Sequence, residues 1–264
     1  MKVSRIIRCG IAFSTFYIGA LIMTCGPFLL LHFIPFKKQK KQAYARGLIR
    51  FLFRSFIALM RFLGLIYKPI IKGTPNEIIN EPCIYAANHP SLIDVVLLAS
   101  ALPDATCIVK RDYWENFFLG GVLRAAGYIP NTDGPELLKA CLKAFDGGQS
   151  LMIFPEGTRS SETGIRSFKR GTARLLLGSS ATIIPVIITC KPRALMKHQK
   201  WYEIPNEKLQ SSIHFMPKMK IPDSIESETS MPKKVRVLTS YMENYFREQI
   251  DAHQAVPSSP INRG

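Results

Sequence analysis

The string Asn88-His89-Pro90-Ser91-Leu92-Ile93-Asp94 sets an imidazole and a carboxylate five positions apart. A histidine can act as general base near neutral pH, and a carboxylate on its far ring nitrogen fixes the tautomer and stabilises the imidazolium that forms. On a continuous helix, residues five apart point about 140° away from each other, so the pair meets only if a turn lies between them. A second string, Phe154-Pro155-Glu156-Gly157-Thr158-Arg159-Ser160, holds a carboxylate and a guanidinium around a Gly that permits a tight turn. A lone His-Asp pair arises often by chance. Two charged strings, each directly following an apolar run, carry more weight.

These strings need a scaffold that brings them to one place. From about residue 70 the chain alternates short apolar runs with helical patterns, which indicates an α/β domain with a largely buried sheet. Strands are predicted at 70–72, 83–87, 106–109, 150–154, 182–188 and 213–215. Helices are predicted at 92–102, 114–126, 135–145, 169–177 and 232–252. Both chemical strings follow predicted strands, so they should emerge at one edge of the sheet, where α/β folds build their sites. The expected fold is a mixed, mostly parallel sheet flanked by helices, preceded by an N-terminal membrane-embedded helical segment.

Together the residues resemble the glycerolipid acyltransferase family, the group that includes the 1-acylglycerol-3-phosphate acyltransferases. Asn88, His89, Ser91 and Asp94 match the family's NHxSxxD block, and residues 154–160 match its Phe-Pro-Glu-Gly-Thr-Arg-Ser block. The apolar Ile183-Ile184-Pro185-Val186-Ile187 and the string Phe168-Lys169-Arg170-Gly171 resemble further family segments, and the resemblance covers roughly residues 70 to 190. It implies a transfer of a fatty acyl chain from acyl-CoA or an acyl carrier protein thioester to a hydroxyl of a lysophospholipid or 1-acylglycerol-3-phosphate-type acceptor. His89 would be the base and Asp94 its orienting partner. Substrate contacts are expected from Asn88, Ser91, Lys110, Glu156, Gly157, Thr158, Arg159, Ser160 and Lys169. Backbone N–H groups near the helix start, with Ser91, would meet the oxyanion; Glu156 and Arg159 would hold the acceptor or order their loop. One departure stands out: where the family places an Arg for the acceptor phosphate, this chain has Asp133, an acid that would repel a phosphomonoester. The six cysteines are scattered with no zinc-ligand spacing, so neither a metal nor a cofactor beyond the thioester co-substrate is expected.

The net charge of +16 raises the question of nucleic acid, and its placement argues otherwise. Residues 1–76 hold 13 Lys and Arg and no acid, so +13 sits there and only +3 on the rest. That charge flanks apolar runs, which points to anionic lipid. Residues 9–36 contain no charged side chain, and as a straight helix would reach about 42 Å, enough to cross a bilayer core about 30 Å thick. Gly26-Pro27 could kink the run or turn it back as a hairpin. A cleaved signal peptide is the competing reading; the run is long for one, and no small-residue cleavage site follows. A basic amphipathic helix is expected at about 42–68, with Arg46, Arg50, Arg54, Arg61 and Lys68 inside an arc of roughly 80°, turned either to headgroups or to solvent.

The resulting division is a membrane anchor at 1–69, a catalytic domain at 70–253 and a frayed Pro/Ser-rich tail at 254–264. Basic residues after the apolar run place the catalytic domain on the cytoplasmic side of a cell membrane. The expected partners are the phospholipid bilayer, the lipid acceptor and the acyl thioester, with no nucleic acid. Two alternatives remain: an acyltransferase with another acceptor, such as a lyso-aminolipid or other specialised lipid, and a non-catalytic lipid-binding relative.

Overall fold

The computed structural model describes residues 2–73, 81–132, 134–179 and 181–255. Asp133 and the predicted tail from 256 onward therefore lie outside the described residues. The chain opens with α1 (Lys2–Met23), a π-helical turn at Thr24–Phe28 and α2 (Leu29–Phe33), forming one run, Val3–Phe33, long and apolar enough to cross a membrane. Pro27 sits inside the π turn, where a ring without an N–H is accommodated by a locally wider coil. The chain reverses only afterwards, at 34–37, not at Gly26-Pro27. Helix α3 (Lys38–Phe62) then runs back along the first helix, with Phe53 stacked on Phe16 and Phe56 tilted against it at 6.3 and 5.4 Å between ring centroids.

The α/β part of the chain follows as β1 (Ile70–Lys72), β2 (Cys83–Ala87), α4 (Asp94–Ala101), β3 (Ala105–Lys110), α5 (Arg111–Trp114), α6 (Gly120–Ala126), β4 (Ile129–Asn131), α7 (Pro135–Asp146) and β5 (Ser150–Ile153). It closes with α8 (Arg170–Leu177), β6 (Thr182–Lys191), β7 (Gln210–Phe215), α9 (Asp223–Glu226) and α10 (Met231–Ala255). The strands form one seven-stranded sheet in the order β1-β7-β6-β2-β5-β3-β4, parallel throughout except for the β6–β7 pair. This is the mixed, mostly parallel sheet expected. Every residue of the central strand β2 is buried, as its unbroken apolar run requires when both faces are covered. One face packs beneath the N-terminal hairpin and α4, the other beneath α7, α8 and α10.

Two expectations change. The predicted 114–126 helix is two, with an Asn116-capped turn between them, and β4 adds a strand that its proline concealed. The arginine stripe of α3 faces neither headgroups nor solvent alone. Buried Arg46 pairs with Asp104 and donates to the Ala126 carbonyl at 2.9 Å. Arg50 and Arg54 donate to the carbonyls of Ser100 and Ala101, the last turn of α4. Those carbonyls have no partner within their own helix, and a guanidinium beside them also complements the helix dipole. Arg61 and Lys68 stay exposed.

Candidate active site

His89 leaves the carboxyl end of β2, the middle strand, and the turn that the spacing demanded lies between it and α4. Asp94 is the first residue of that helix and has no exposed surface. Its Oδ2 sits 2.9 Å from His89 Nδ1 and also accepts the Ser91 backbone N–H at 2.6 Å. Nδ1 therefore carries the hydrogen toward the carboxylate, and Nε2 is the nitrogen left to accept a proton. Burial pushes the Asp94 carboxyl upward, while the His89 ring, the Ser91 N–H and the more distant Arg159 charge pull it down. Asp94 Oδ1 is buried without a hydrogen-bond partner among the described residues, so the carboxylate is aimed by Oδ2. The Phe154 ring stacks on the imidazole with centroids 4.4 Å apart, fixing the second dimension of its orientation.

Phe154 belongs to the neighbouring parallel strand's exit, where the second string emerges as expected. Glu156 is buried there and acts as a three-way clamp. Its Oε1 accepts the His89 backbone N–H at 2.9 Å and the Ser160 hydroxyl at 2.8 Å, and its Oε2 accepts the Arg166 N–H at 2.7 Å. Ser160 N–H returns a bond to the His89 carbonyl at 2.7 Å. Burial pushes the Glu156 carboxyl up, against the pull of these donors. Gly157 adopts φ +67°, a left-handed conformation costly for other residues, and its N–H closes the turn on the Phe154 carbonyl.

A cavity of about 1310 Å³ opens over this sheet edge. Of the expected contact residues, His89, Lys110, Gly157, Thr158, Arg159 and Lys169 line it. Asn88, Ser91, Glu156 and Ser160 do not, because each buried side chain is bonded to the framework instead. Asn88 exchanges two hydrogen bonds with the Ile188 backbone of β6, and Ser91 donates to the Ala194 carbonyl at 2.9 Å. The expected oxyanion donors also move: Ser91 N–H is held by Asp94, and Leu92 N–H goes to the Leu195 carbonyl. Arg159 lines the cavity, yet its guanidinium already donates to the carbonyls of Leu195, Met196 and Lys197.

Sequence reasoning missed this 194–197 loop. Leu195 sits at φ +55°, an unfavourable region for a branched side chain, and is held by the bonds from Leu92 and Arg159. It also missed that the N-terminal hairpin walls the cavity, with Phe13, Phe16, Met23 and Phe56 among its lining. The lone signal was the apolar side of α3, legible as amphipathic but not as facing a site.

A buried carboxylate-imidazole pair at the carboxyl edge of a parallel sheet, beside a large and mainly apolar cavity, can move a proton at a group bound in that cavity. Residues 69–189 match the family model described as Acyltransferase, and the chain is similar in sequence to several 1-acyl-sn-glycerol-3-phosphate acyltransferases. Over 181 residues it is 26% identical to a chloroplastic 1-acyl-sn-glycerol-3-phosphate acyltransferase of Brassica napus, covering 66% of this chain and 49% of that protein. It is 30% identical over 146 residues to the 1-acyl-sn-glycerol-3-phosphate acyltransferase of Saccharomyces cerevisiae, covering 52% and 47%. The chain spans about half the length of the curated relatives it matches. Its fold resembles the crystal structure of PlsC, the 1-acyl-sn-glycerophosphate acyltransferase of Thermotoga maritima, with a TM-score of 0.72 over 97% of this chain and 100% of that one, at 19% identity.

Proposed function

We propose that this protein transfers a fatty acyl chain from an acyl thioester, acyl-CoA or an acyl carrier protein conjugate, to the hydroxyl of a 1-acylglycerol-3-phosphate-type acceptor. One observation carries the reading: His89 is tied to a buried Asp94 through Nδ1 while its ring borders a large, mainly apolar cavity. In this mechanism Nε2 takes the proton from the acceptor hydroxyl, whose oxygen attacks the thioester carbonyl. Asp94 stabilises the imidazolium. The tetrahedral intermediate collapses with release of the thiolate, which takes the proton back from Nε2. Thr158 and Arg159 line the cavity and their backbone N–H groups donate to no described residue, so we assign them to the oxyanion. Lys110 and Lys169, exposed and lining the cavity, are the cations for the acceptor phosphate.

The acceptor is lipid and the cavity is walled by an apolar hairpin, so the site works at a bilayer. Residues 1–69 are its anchor to a cell membrane and 70–253 its catalytic part, with the site on the cytoplasmic side in keeping with the basic residues after the apolar run. The test is a panel of labelled acyl-CoA and acyl carrier protein donors against lysophosphatidic acid, lysophospholipids and lyso-aminolipids. Transfer to lysophosphatidic acid that is lost in His89→Ala supports the reading; no transfer to any acceptor removes it. The engagement of Arg159 with three backbone carbonyls, together with the acid at Asp133, favours one second reading, in which the same chemistry serves an acceptor without a phosphomonoester.

A further inference from the structure

The turn between α5 and α6 presents Phe117 and Phe118 outward, 75% and 36% exposed. Adjacent exposed phenylalanines are costly in water unless something covers them. The turn is not a loose one. Asn116 Oδ1 accepts the N–H groups of Phe118 and Leu119 at 3.0 and 3.1 Å, Gly120 N–H bonds the Asn116 carbonyl, and Arg124 donates to the Trp114 carbonyl at 2.9 Å. The rings are thus held out by a rigid frame.

Their position is informative. The Phe118 ring meets Tyr17 of α1 edge-on at 6.0 Å, and the start of α6 lies so close to the π turn that a side chain at Gly121 would collide with Thr24. The two phenylalanines therefore sit beside the middle of the apolar run Val3–Phe33, whose own outer surface carries exposed Ile11, Ile18 and Ile22. Tyr113 and Leu119, at either end of the turn, line the same cavity as His89. One apolar surface thus runs continuously from the helix, across the turn, to the cavity wall. Lys37, Lys38, Lys40 and Lys41 border the far end of the helix, a charge pattern that suits anionic headgroups; Asp112 and Glu115 near the turn are the acids on this side, and Arg111 pairs with Glu115 at 2.7 Å.

We propose that the Phe117-Phe118 turn is a second membrane-inserting element, seated in the acyl region of an anionic bilayer beside α1 and holding the cavity mouth against the lipid. It rests on the membrane reading above and adds to it an element outside the N-terminal hairpin.

The test uses the full chain with vesicles of phosphatidylglycerol and phosphatidylcholine. A Phe117→Trp variant should lose fluorescence to brominated acyl chains and become shielded from acrylamide once vesicles are added, relative to wild type with its native tryptophans. Phe117→Ser with Phe118→Ser should weaken vesicle binding about tenfold or more, since each buried ring contributes substantially to partition. Phe117→Ser alone touches no described ring in the core, and it should lower turnover on bilayer-embedded acceptor while sparing turnover on a short-chain soluble one. If wild type binds vesicles but the new tryptophan stays open to acrylamide, the turn is not inserted and only this proposal falls. Shielding that rises with protein concentration and without vesicles would mean that a second copy covers the turn, which also overturns it. A wild-type protein that binds no vesicles sinks both readings.

Discussion

At the carboxyl edge of the sheet, charge is buried and met by hydrogen-bond donors at every carboxylate oxygen but Asp94 Oδ1; along the N-terminal hairpin, apolar side chains stand exposed. Asp94 and Glu156 are almost without solvent contact, yet between them they accept five hydrogen bonds from neighbouring groups. Phe33 and Phe62, by contrast, are 74% and 88% exposed. A carboxylate is moved out of water only when donors replace its hydration, and a row of exposed rings persists only where another apolar phase covers it. On the membrane reading proposed above, the two regions are built for different solvents, and the cavity lies where they meet. Changes at the sheet edge should therefore alter chemistry with little effect on membrane association, and changes along the hairpin the reverse.

His89→Ala tests the first half most severely. Turnover should fall by about 10²- to 10⁴-fold, the range for losing a positioned general base, while vesicle binding and thermal stability hold near wild type. Steady-state rates on purified protein in mixed micelles would show it, and a variant with near-normal turnover breaks the assignment. Asp94→Asn should come next. Its amide can keep the size of the carboxylate but cannot stabilise an imidazolium, so kcat drops by about 10²-fold or more with KM little changed. Equal losses in binding would instead mean that Asp94 only holds the turn.

Glu156→Gln separates framework from chemistry. All three partners of Glu156 donate, so an amide nitrogen must face at least one of them, at a cost of about 1–3 kcal/mol. A melting temperature lowered together with kcat is the expected result. Unchanged stability with raised acceptor KM would return Glu156 to the substrate.

Arg46→Met moves the comparison to the hairpin. It leaves Asp104 half exposed, so the loss should be modest, about 1–3 kcal/mol, and visible in thermal unfolding in detergent. If Arg46 served lipid instead, the variant would keep its stability and show a weaker salt dependence of vesicle binding.

What the sequence revealed follows the same division. The strands around the site were legible because a buried parallel strand reads as a short apolar run, and β2, β5 and β6 each do so. The meeting of His89 with Asp94 across a turn was legible because two charged strings, not one, each follow a predicted strand. The framework bonds of Asn88 and Ser91 were not, since a polar residue in a motif looks the same whether it faces a ligand or a backbone carbonyl 100 positions away, as Asn88 does with Ile188. The arginine stripe misled for a related reason: periodicity shows that Arg46, Arg50 and Arg54 share a face and is silent on what that face meets. The 194–197 loop left no trace, because its conformation depends on donors from two distant segments.

The smallest expected effect concerns neither region and so serves as a control on both. His214 on β7 packs edge-on against the His253 ring at 4.4 Å, with Lys72 on the adjoining strand and its Nε2 3.0 Å from Ser212 Oγ. Burial, with His253 and Lys72 adding repulsion, pulls its pKa down from 6.5 to about 4. A depressed pKa in the folded state means that the unfolded chain binds the proton more readily, so the neutral ring's contribution is present above about pH 6.5 and is lost as pH falls toward 4. Because the ring is partly open to solvent, the loss should stay below about 1 kcal/mol. His214→Gln should flatten that slope, so that variant and wild type differ in urea unfolding between pH 7 and pH 4.5 while acyl transfer at pH 7 is unchanged. A steeper acid loss in the variant would mean that another group titrates there and that the paired rings are not its source.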